Sequence, residues 1–395
     1  MELNDRLQQL RKERDWTQLQ VAAALKVPRE LVSMWEVGSR RPNLKQLEDV
    51  ARLFNADAEF LLGNHSEPQP LGLKPMVLLR GLDTAEPSIK LEVSNWISFL
   101  DEWSLFADLD RERKAKPPRK IDRGPDFSDI RSASKVSTEV RDHYGLGTFA
   151  LPDLFAFLDE QGVLVCQAKL GDISQDGISG AFYNHPILGY CILINAQTSQ
   201  GRQMFTLAHE FAHALFHYGA NECIISVAGE NSNREQFADA FAANLLVPAK
   251  GLKDIIQETG LVNRISEYDA LQLASYFKVS YAFMLNRLLF ERHINLEQRN
   301  DWQTLSPRSL AKHIGLNASM FRSRIDEEPY LSRYPASVLK KVRELIEGDV
   351  LSVGQAASLL RLDVLTLQTE LLEAPQTADT DEQKETKDFA ATYGS

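Results

Sequence analysis

The sequence predicts a multidomain chain: an all-α bundle of short helices, an α+β domain built around one metal-bearing helix, and a mostly α-helical C-terminal region. Three observations carry this. Residues 1–63 hold five short amphipathic patterns separated by turn residues. Between residues 163 and 195 lie three short β-branched or aromatic runs bounded by Gly, Asn or Pro. They lead directly into His209-Glu210-Phe211-Ala212-His213, set within an unbroken helical pattern. A chain of 395 residues also exceeds one ordinary core, so two or three domains are expected.

Hydrophobic residues make up 44% and charged residues 25%, the balance of a soluble globular protein. A net charge of −11 excludes a surface coated in nucleic-acid-binding charge but allows a local basic patch. Cys166, Cys191 and Cys223 are odd in number and form no Cys-x-x-Cys pair. Reduced thiols are expected, not a disulfide frame or a zinc knuckle. No secretory signal opens the sequence and no apolar run reaches membrane-spanning length. A cytoplasmic protein with no membrane partner is therefore expected.

In the first segment (1–63) a helix is predicted over residues 4–14, with Leu3, Leu7 and Leu10 on one face. A second follows Thr17 and runs through Leu25; a tight turn at Lys26-Val27-Pro28 leads to a third over 29–36, closed by Gly38. A fourth covers 44–54 and a short fifth covers 58–62. Two short helices joined by a tight turn describe a helix-turn-helix, whose second helix can lie in the DNA major groove. Thr17-Gln18, Ala22, Val27 and Trp35-Glu36-x-Gly38-x-Arg40-x-Pro42 resemble the lambda-repressor-like (XRE) family over this whole segment. The resemblance implies that Gln18, Arg29, Glu30 and Ser33 face DNA and that Arg40, Arg41 and Lys45 meet phosphates. Met34 departs from the long polar side chain often found there, and the charges of the segment roughly balance. A bundle that only pairs with another such domain is the competing expectation.

Residues 64–125 read as a linker with an amphipathic helix bearing Trp96, Phe99, Leu100, Trp103 and Phe106, then a basic, proline-broken run at 111–120. The α+β domain is expected over 126–290, with helices at 134–144 and 153–161 and strands near 163–166, 177–183 and 190–195.

On the next helix His209 and His213 share a face, four residues apart, where two imidazoles can take one metal ion. Leu207, Phe211 and Leu215 form an apolar back. Polar groups so placed need partners, because unpaired burial costs about 2–7 kcal/mol each. A zinc ion supplies one. Glu210 stands aside from the ligand row and can accept a proton from the attacking water. The third ligand is assigned to Glu235, on a helix capped near Asn231-Ser232-Asn233 and stopped before Pro248; Asp239, Glu222 and Glu230 are the alternatives. Asp239, one turn on, can accept the spare ring N–H of a ligating histidine. This Glu-x-x-x-Asp pairing resembles gluzincin peptidases. His217 reads as a wall residue, and Tyr218, Tyr183 or His185 could stabilise an oxyanion.

Residues 201–213 together with Glu235-x-x-Ala238-Asp239-x-Phe241-Ala242-Ala243-x-Leu245-Leu246-x-Pro248 resemble the ImmA/IrrE metallopeptidases, and Ile178-Ser179-Gly180 and Ile192-x-Ile194-Asn195 fit the strands before the helix. The resemblance covers residues 134–289. It implies a zincin-like (gluzincin-type) fold and a zinc endopeptidase in which His209, His213 and Glu235 are ligands and Glu210 is the general base. It also implies cleavage of a partner repressor, typically an XRE protein, or of an antitoxin, to control transcription.

Residues 291–372 are expected to be α-helical, and 373–395 a disordered acidic tail. Helix-turn-helix-like patterns recur at 270–288, 310–316 and 355–360; the first reads as part of the peptidase fold and the last two as helical packing. The leading expectation is a zinc endopeptidase fused to a DNA-binding module, with self-association into a homodimer through the first domain. The rival is a DNA-binding regulator whose zincin domain senses a ligand or partner and cuts nothing.

Overall fold

The computed structural model describes residues 3–12, 17–25, 27–53, 61, 85–107, 131–151, 153–172, 177–216, 223–227, 233–262, 264–317, 321 and 330–373. Most of the expected fifth short helix, the proline-rich and basic stretches, His217, Tyr218, Glu222, Glu230 and the acidic tail from 374 lie outside the described residues.

The first four helices are α1 (Leu3–Lys12), α2 (Gln18–Ala24), α3 (Arg29–Val37) and α4 (Leu44–Leu53). Their apolar faces meet through Leu7, Leu10, Val21, Ala22, Val32, Trp35, Leu47, Val50 and Ala51. Gly38 ends α3 in the left-handed region (φ 78°), where its N–H reaches the Trp35 carbonyl. Asn43 starts α4: its Oδ1 accepts from the Gln46 N–H at 2.8 Å, and the Gln46 side chain accepts back from Asn43 at 3.0 Å. The buried Glu36 carboxylate takes Arg11 in a fork, at 2.6 and 2.9 Å.

Helix α5 (Pro87–Ala107) follows. Then come α6 (Arg131–His143), α7 (Leu154–Glu160), β1 (Leu164–Ala168), β2 (Ile178–His185), β3 (Gly189–Asn195), α8 (Gln200–Phe216), β4 (Cys223–Val227), α9 (Asn233–Leu246), α10 (Ala249–Glu258), α11 (Glu267–Tyr276) and α12 (Tyr281–Phe290). The sheet order is β1-β3-β2-β4; β1 runs parallel to β3, and β2 pairs antiparallel with both β3 and β4. Strand β4 closes one edge and lies outside the three strands expected from the sequence. At the other edge Gln167 of β1 donates to the Ser332 carbonyl of a 3₁₀ turn at Tyr330–Arg333.

Alternation along the strands splits the domain into two cores. Val165, Phe182, Ile192 and Ile194 face the helical side with Met204, Leu207 and Phe211 of α8. Cys166, Ala181, Tyr183, Cys191 and Leu193 face Ile89, Val93, Trp96, Phe99 and Leu100 of α5. The helix read as part of a linker thus forms an outer layer of the sheet. Its other side meets the first bundle: α2 and α4 pack on α5, and Leu91 lies against the bundle core. The recognition-type helix α3 makes no comparable contact with α5.

The chain continues through α13 (Leu296–Gln303), α14 (Pro307–His313), α15 (Ala336–Glu347), α16 (Val353–Leu359) and α17 (Val364–Leu367), which runs into a π-helical turn at Gln368–Leu372. Helices α15 and α16 complete the core under α5. The recurrent helix-turn-helix-like patterns share one turn geometry: Val279, Leu316 and Leu362 each bond back to an alanine carbonyl five residues earlier. One face of each first helix is buried, at Ala270, Leu271, Leu273 and Ala274, at Leu310 and Ala311, and at Ala356, Ala357 and Leu359. Among the described residues, no helix is long and apolar enough to cross a membrane.

Candidate metal centre

Helix α8 is fixed at its start before it presents any chemistry. Gln203 donates to the carbonyls of Ala196 and Thr198, at 3.2 and 3.0 Å, locking the first turn to the end of β3. Gly201 permits a close approach: a Cβ there would stand 2.3 Å from the Ser280 backbone nitrogen, so the turn between α11 and α12 abuts the helix. Further along, Phe216 meets Phe237 and Phe241 of α9, with ring centroids 5.6 and 5.5 Å away. These contacts pin α9 across α8.

The far end of α9 is held by two buried guanidiniums. Arg141 donates to the carbonyls of Leu146, Gly147, Phe149 and Leu245. Arg287 donates to the Val247 carbonyl at 3.0 Å and to Asn244 Oδ1 at 2.9 Å. Cations at this end also match the negative pole of the helix. Glu235 sits in the first turn of α9, at the positive pole, with Asp239 one turn later.

With both helices fixed, three side chains converge. His209 Nε2 and His213 Nε2 are 3.0 Å apart. Glu235 Oε2 lies 3.0 Å from His209 Nε2, and its Oε1 lies 3.2 Å from His213 Nε2. His213 is 1% exposed, His209 7% and the Glu235 side chain 12%. Two imidazole nitrogens and a carboxylate at these separations suit a tetrahedral ion, whose ligand atoms stand roughly 3.3 Å apart for bonds of about 2.05 Å. Among the described residues this is the one group of three His, Cys, Asp or Glu side chains close enough to hold a metal.

Asp239 Oδ1 lies 2.8 Å from His209 Nδ1. The carboxylate accepts, so Nδ1 carries the hydrogen and Nε2 faces Glu235. Burial alone would lower the His209 pKa; hydrogen bonds that the ring donates to Asp239 and Glu235, with the nearby charges of Glu210 and Asp239, outweigh it and raise the pKa to about 10. Glu235 shifts the opposite way: burial would raise its pKa, but hydrogen bonds to His209 and His213 hold it well below the usual carboxylate range. Both shifts have one cause, a pocket that favours positive charge between Glu235 and His209. Glu210 is fully buried beside it, under β2.

Tyr183 and His185 do not reach this place. Tyr183 faces the opposite side of the sheet, edge-on to Trp96 with centroids 6.4 Å apart. His185 lies at the distant end of β2, where Nδ1 accepts from the N–H groups of Ile187 and Leu188 and Nε2 pairs with Asp101 at 3.3 Å. The strand alternation that buries Phe182 towards α8 turns Tyr183 away.

In the first bundle, Arg29, Glu30, Arg40, Arg41 and Lys45 are exposed and Ser33 is half-buried. Gln18 Nε2 donates to Glu36 Oε2 at 3.0 Å, which ties its amide to the Arg11–Glu36 pair. Lys45 is also one of the residues lining a crevice of about 690 Å³ between α4, α5 and the C-terminal helices.

Comparison with known proteins finds two families that match parts of this chain. A family described as Peptidase_M78, IrrE N-terminal-like domain, matches residues 158–289, and one described as HTH_3, helix-turn-helix, matches residues 7–61. The HTH-type transcriptional activator BcrR of Enterococcus faecalis is 40% identical over 62 residues, 16% of this chain and 30% of that protein. The HTH-type transcriptional regulator AnsR of Bacillus subtilis (strain 168) is 35% identical over 65 residues, 16% of this chain and 56% of that protein. The chain thus spans less than two thirds of either relative's length. It carries an XRE-type helix-turn-helix domain at residues 7–61 joined to an IrrE N-terminal-like domain of the Peptidase_M78 family at residues 158–289.

Proposed function

We propose that this chain is a zinc-dependent endopeptidase fused to a DNA-binding domain, and that it cuts a partner XRE-type repressor or antitoxin to control transcription. The observation that carries the reading is the convergence of His209, His213 and Glu235 within hydrogen-bonding distance of one another, with Glu210 buried at their side. His209, His213 and Glu235 are the proposed ligands in a gluzincin-type site. Zinc, when bound, supplies Lewis acidity that polarises a peptide carbonyl and makes water acidic near neutral pH. Asp239 fixes the His209 tautomer and ring plane. Glu210 takes a proton from the attacking water and returns it to the leaving amine. Its complete burial shields it from bulk solvent. Arg29, Glu30, Ser33, Arg40, Arg41 and Lys45, with Gln18 held by Glu36, form the proposed DNA side. They bring the peptidase to operators where a repressor sits, or pair with the repressor's own helix-turn-helix.

Glu210→Gln tests this. The variant should bind one zinc and cut no repressor; unchanged cleavage would overturn the mechanism. A second reading, a regulator that cuts nothing, draws on the two relatives, both transcription regulators by name. It predicts identical promoter control by the wild type and Glu210→Gln.

A further inference from the structure

We infer that Gly180 is the positioning residue that seats the Glu210 carboxylate, an inference that rests on the peptidase reading. Gly180 lies on β2 where the strand crosses α8. A Cβ at this position would stand 2.8 Å from the Leu193 carbonyl oxygen, 3.0 Å from Thr206 Cγ2 and 3.1 Å from Glu210 Oε1. Its backbone is not in the left-handed region, which among the glycines holds Gly38, Gly145 and others. Glycine is therefore required here for space and not for torsion.

The strand is built to put that space over Glu210. Phe182 faces α8, while Ala181 and Tyr183 face α5. Stepping back by two from Phe182 brings Gly180 to the α8 side and would bring Ile178 there as well. Ile178 instead lies in the core beneath α5. The pairing with β4 gives the reason: Ile178 is opposite Val227 and Gly180 is opposite Ser226, so Ser179 is an extra residue. This bulge turns Ile178 away from α8 and leaves a hydrogen atom, in place of a side chain, facing the carboxylate. Thr206, one turn before Glu210 on the same helix, closes the other side of the slot. A general base must lie within about 2.6–3.2 Å of the proton it takes, so a displacement of a few tenths of an ångström at Oε1 is costly. The nearest atoms to a Cβ at 180 include none of the proposed ligands, so its effect passes through Glu210.

The test is a stability cycle on the full-length, metal-free chain, in which urea midpoints are compared for wild type, Gly180→Ala, Glu210→Ala and the double variant. If a methyl at 180 meets the carboxylate, removing the carboxylate recovers about half or more of the midpoint lost to Gly180→Ala. An equal loss in both backgrounds overturns the proposal, because the methyl would then be sensed only by Leu193 and Thr206. Where Gly180→Ala alone does not fold, the same comparison becomes a rescue. A folded double variant supports the proposal and an unfolded one overturns it. With a repressor that the wild type cuts as substrate, Gly180→Ala should keep one zinc and a KM within about twofold while kcat falls at least about tenfold. An unchanged kcat overturns the proposal. A wild type that cuts nothing overturns the peptidase reading, and the stability cycle still decides the geometry.

Discussion

Replacing Asp239 by Ala should weaken zinc binding without unfolding the protein. Asp239 accepts the His209 Nδ1 hydrogen at 2.8 Å, a hydrogen bond assisted by the carboxylate's charge. Outer partners of this kind are worth roughly 10–100-fold in metal affinity. The Asp239 side chain is 60% exposed, so water screens its charge and can replace part of the hydrogen bond. The effect therefore falls at the low end, about tenfold, or about 1.4 kcal/mol. Asp239→Asn keeps an acceptor and loses only the charge, so it should lie between wild type and Asp239→Ala. The assay is competition between apoprotein and a chromophoric chelator at neutral pH, with the urea midpoint of the zinc-free protein measured alongside. Asp239→Ala binding zinc within about twofold of wild type would refute the role given to this carboxylate. So would Asp239→Asn weakening the site more than Asp239→Ala does.

Two further outcomes follow from the same geometry. Because the His209 pKa is raised to about 10, above its ordinary value near 6.5, the stabilisation it gives the metal-free protein is complete below about pH 6.5 and is lost as pH rises towards 10. Zinc must displace that proton, so affinity should rise about tenfold per pH unit through neutrality, with one proton released per zinc. Calorimetry in buffers of different ionisation enthalpy reads this, and pH-independent binding would contradict it. Arg141→Met should cost about 3 kcal/mol in urea unfolding, because Arg141 is 2% exposed and its removal leaves the carbonyls of Leu146, Gly147, Phe149 and Leu245 without their shared donor. A loss below about 1 kcal/mol would mean those carbonyls find other partners.

The parts of the site that depend on helical spacing were legible in the sequence. His209 and His213 are one turn apart, and Glu235 and Asp239 are likewise one turn apart, so each pair shares a face whatever the tertiary fold. The order of helices in the first bundle was legible for the same reason, with Thr17 and Gly38 marking where α2 starts and α3 stops. What covers a face was not legible. The periodicity of α5 announced an apolar stripe with Trp96 and Phe99, but amphipathicity says nothing of the partner, and the stripe proved to line the sheet. Strand β4 escaped notice because five residues carry too little pattern to stand out between two stronger helices. Tyr183 and His185 looked eligible because a sequence shows proximity along the chain. Counting alternation from Phe182 would have turned Tyr183 away. The bulge at Ser179 defeats such counting beyond it, and only pairing with β4 reveals it.

Helix α5 has a further consequence for how this chain can be taken apart. One side of it seals the sheet that backs the candidate metal centre, and the other offers Leu91 to the core of the helix-turn-helix bundle, with α2 and α4 seated on it. The two functional ends share a wall. A fragment cut just after residue 63 strips the bundle of a surface it packs against, and a fragment that begins at 131 strips the sheet of a whole layer. The unit that must be kept intact to study either end runs through α5.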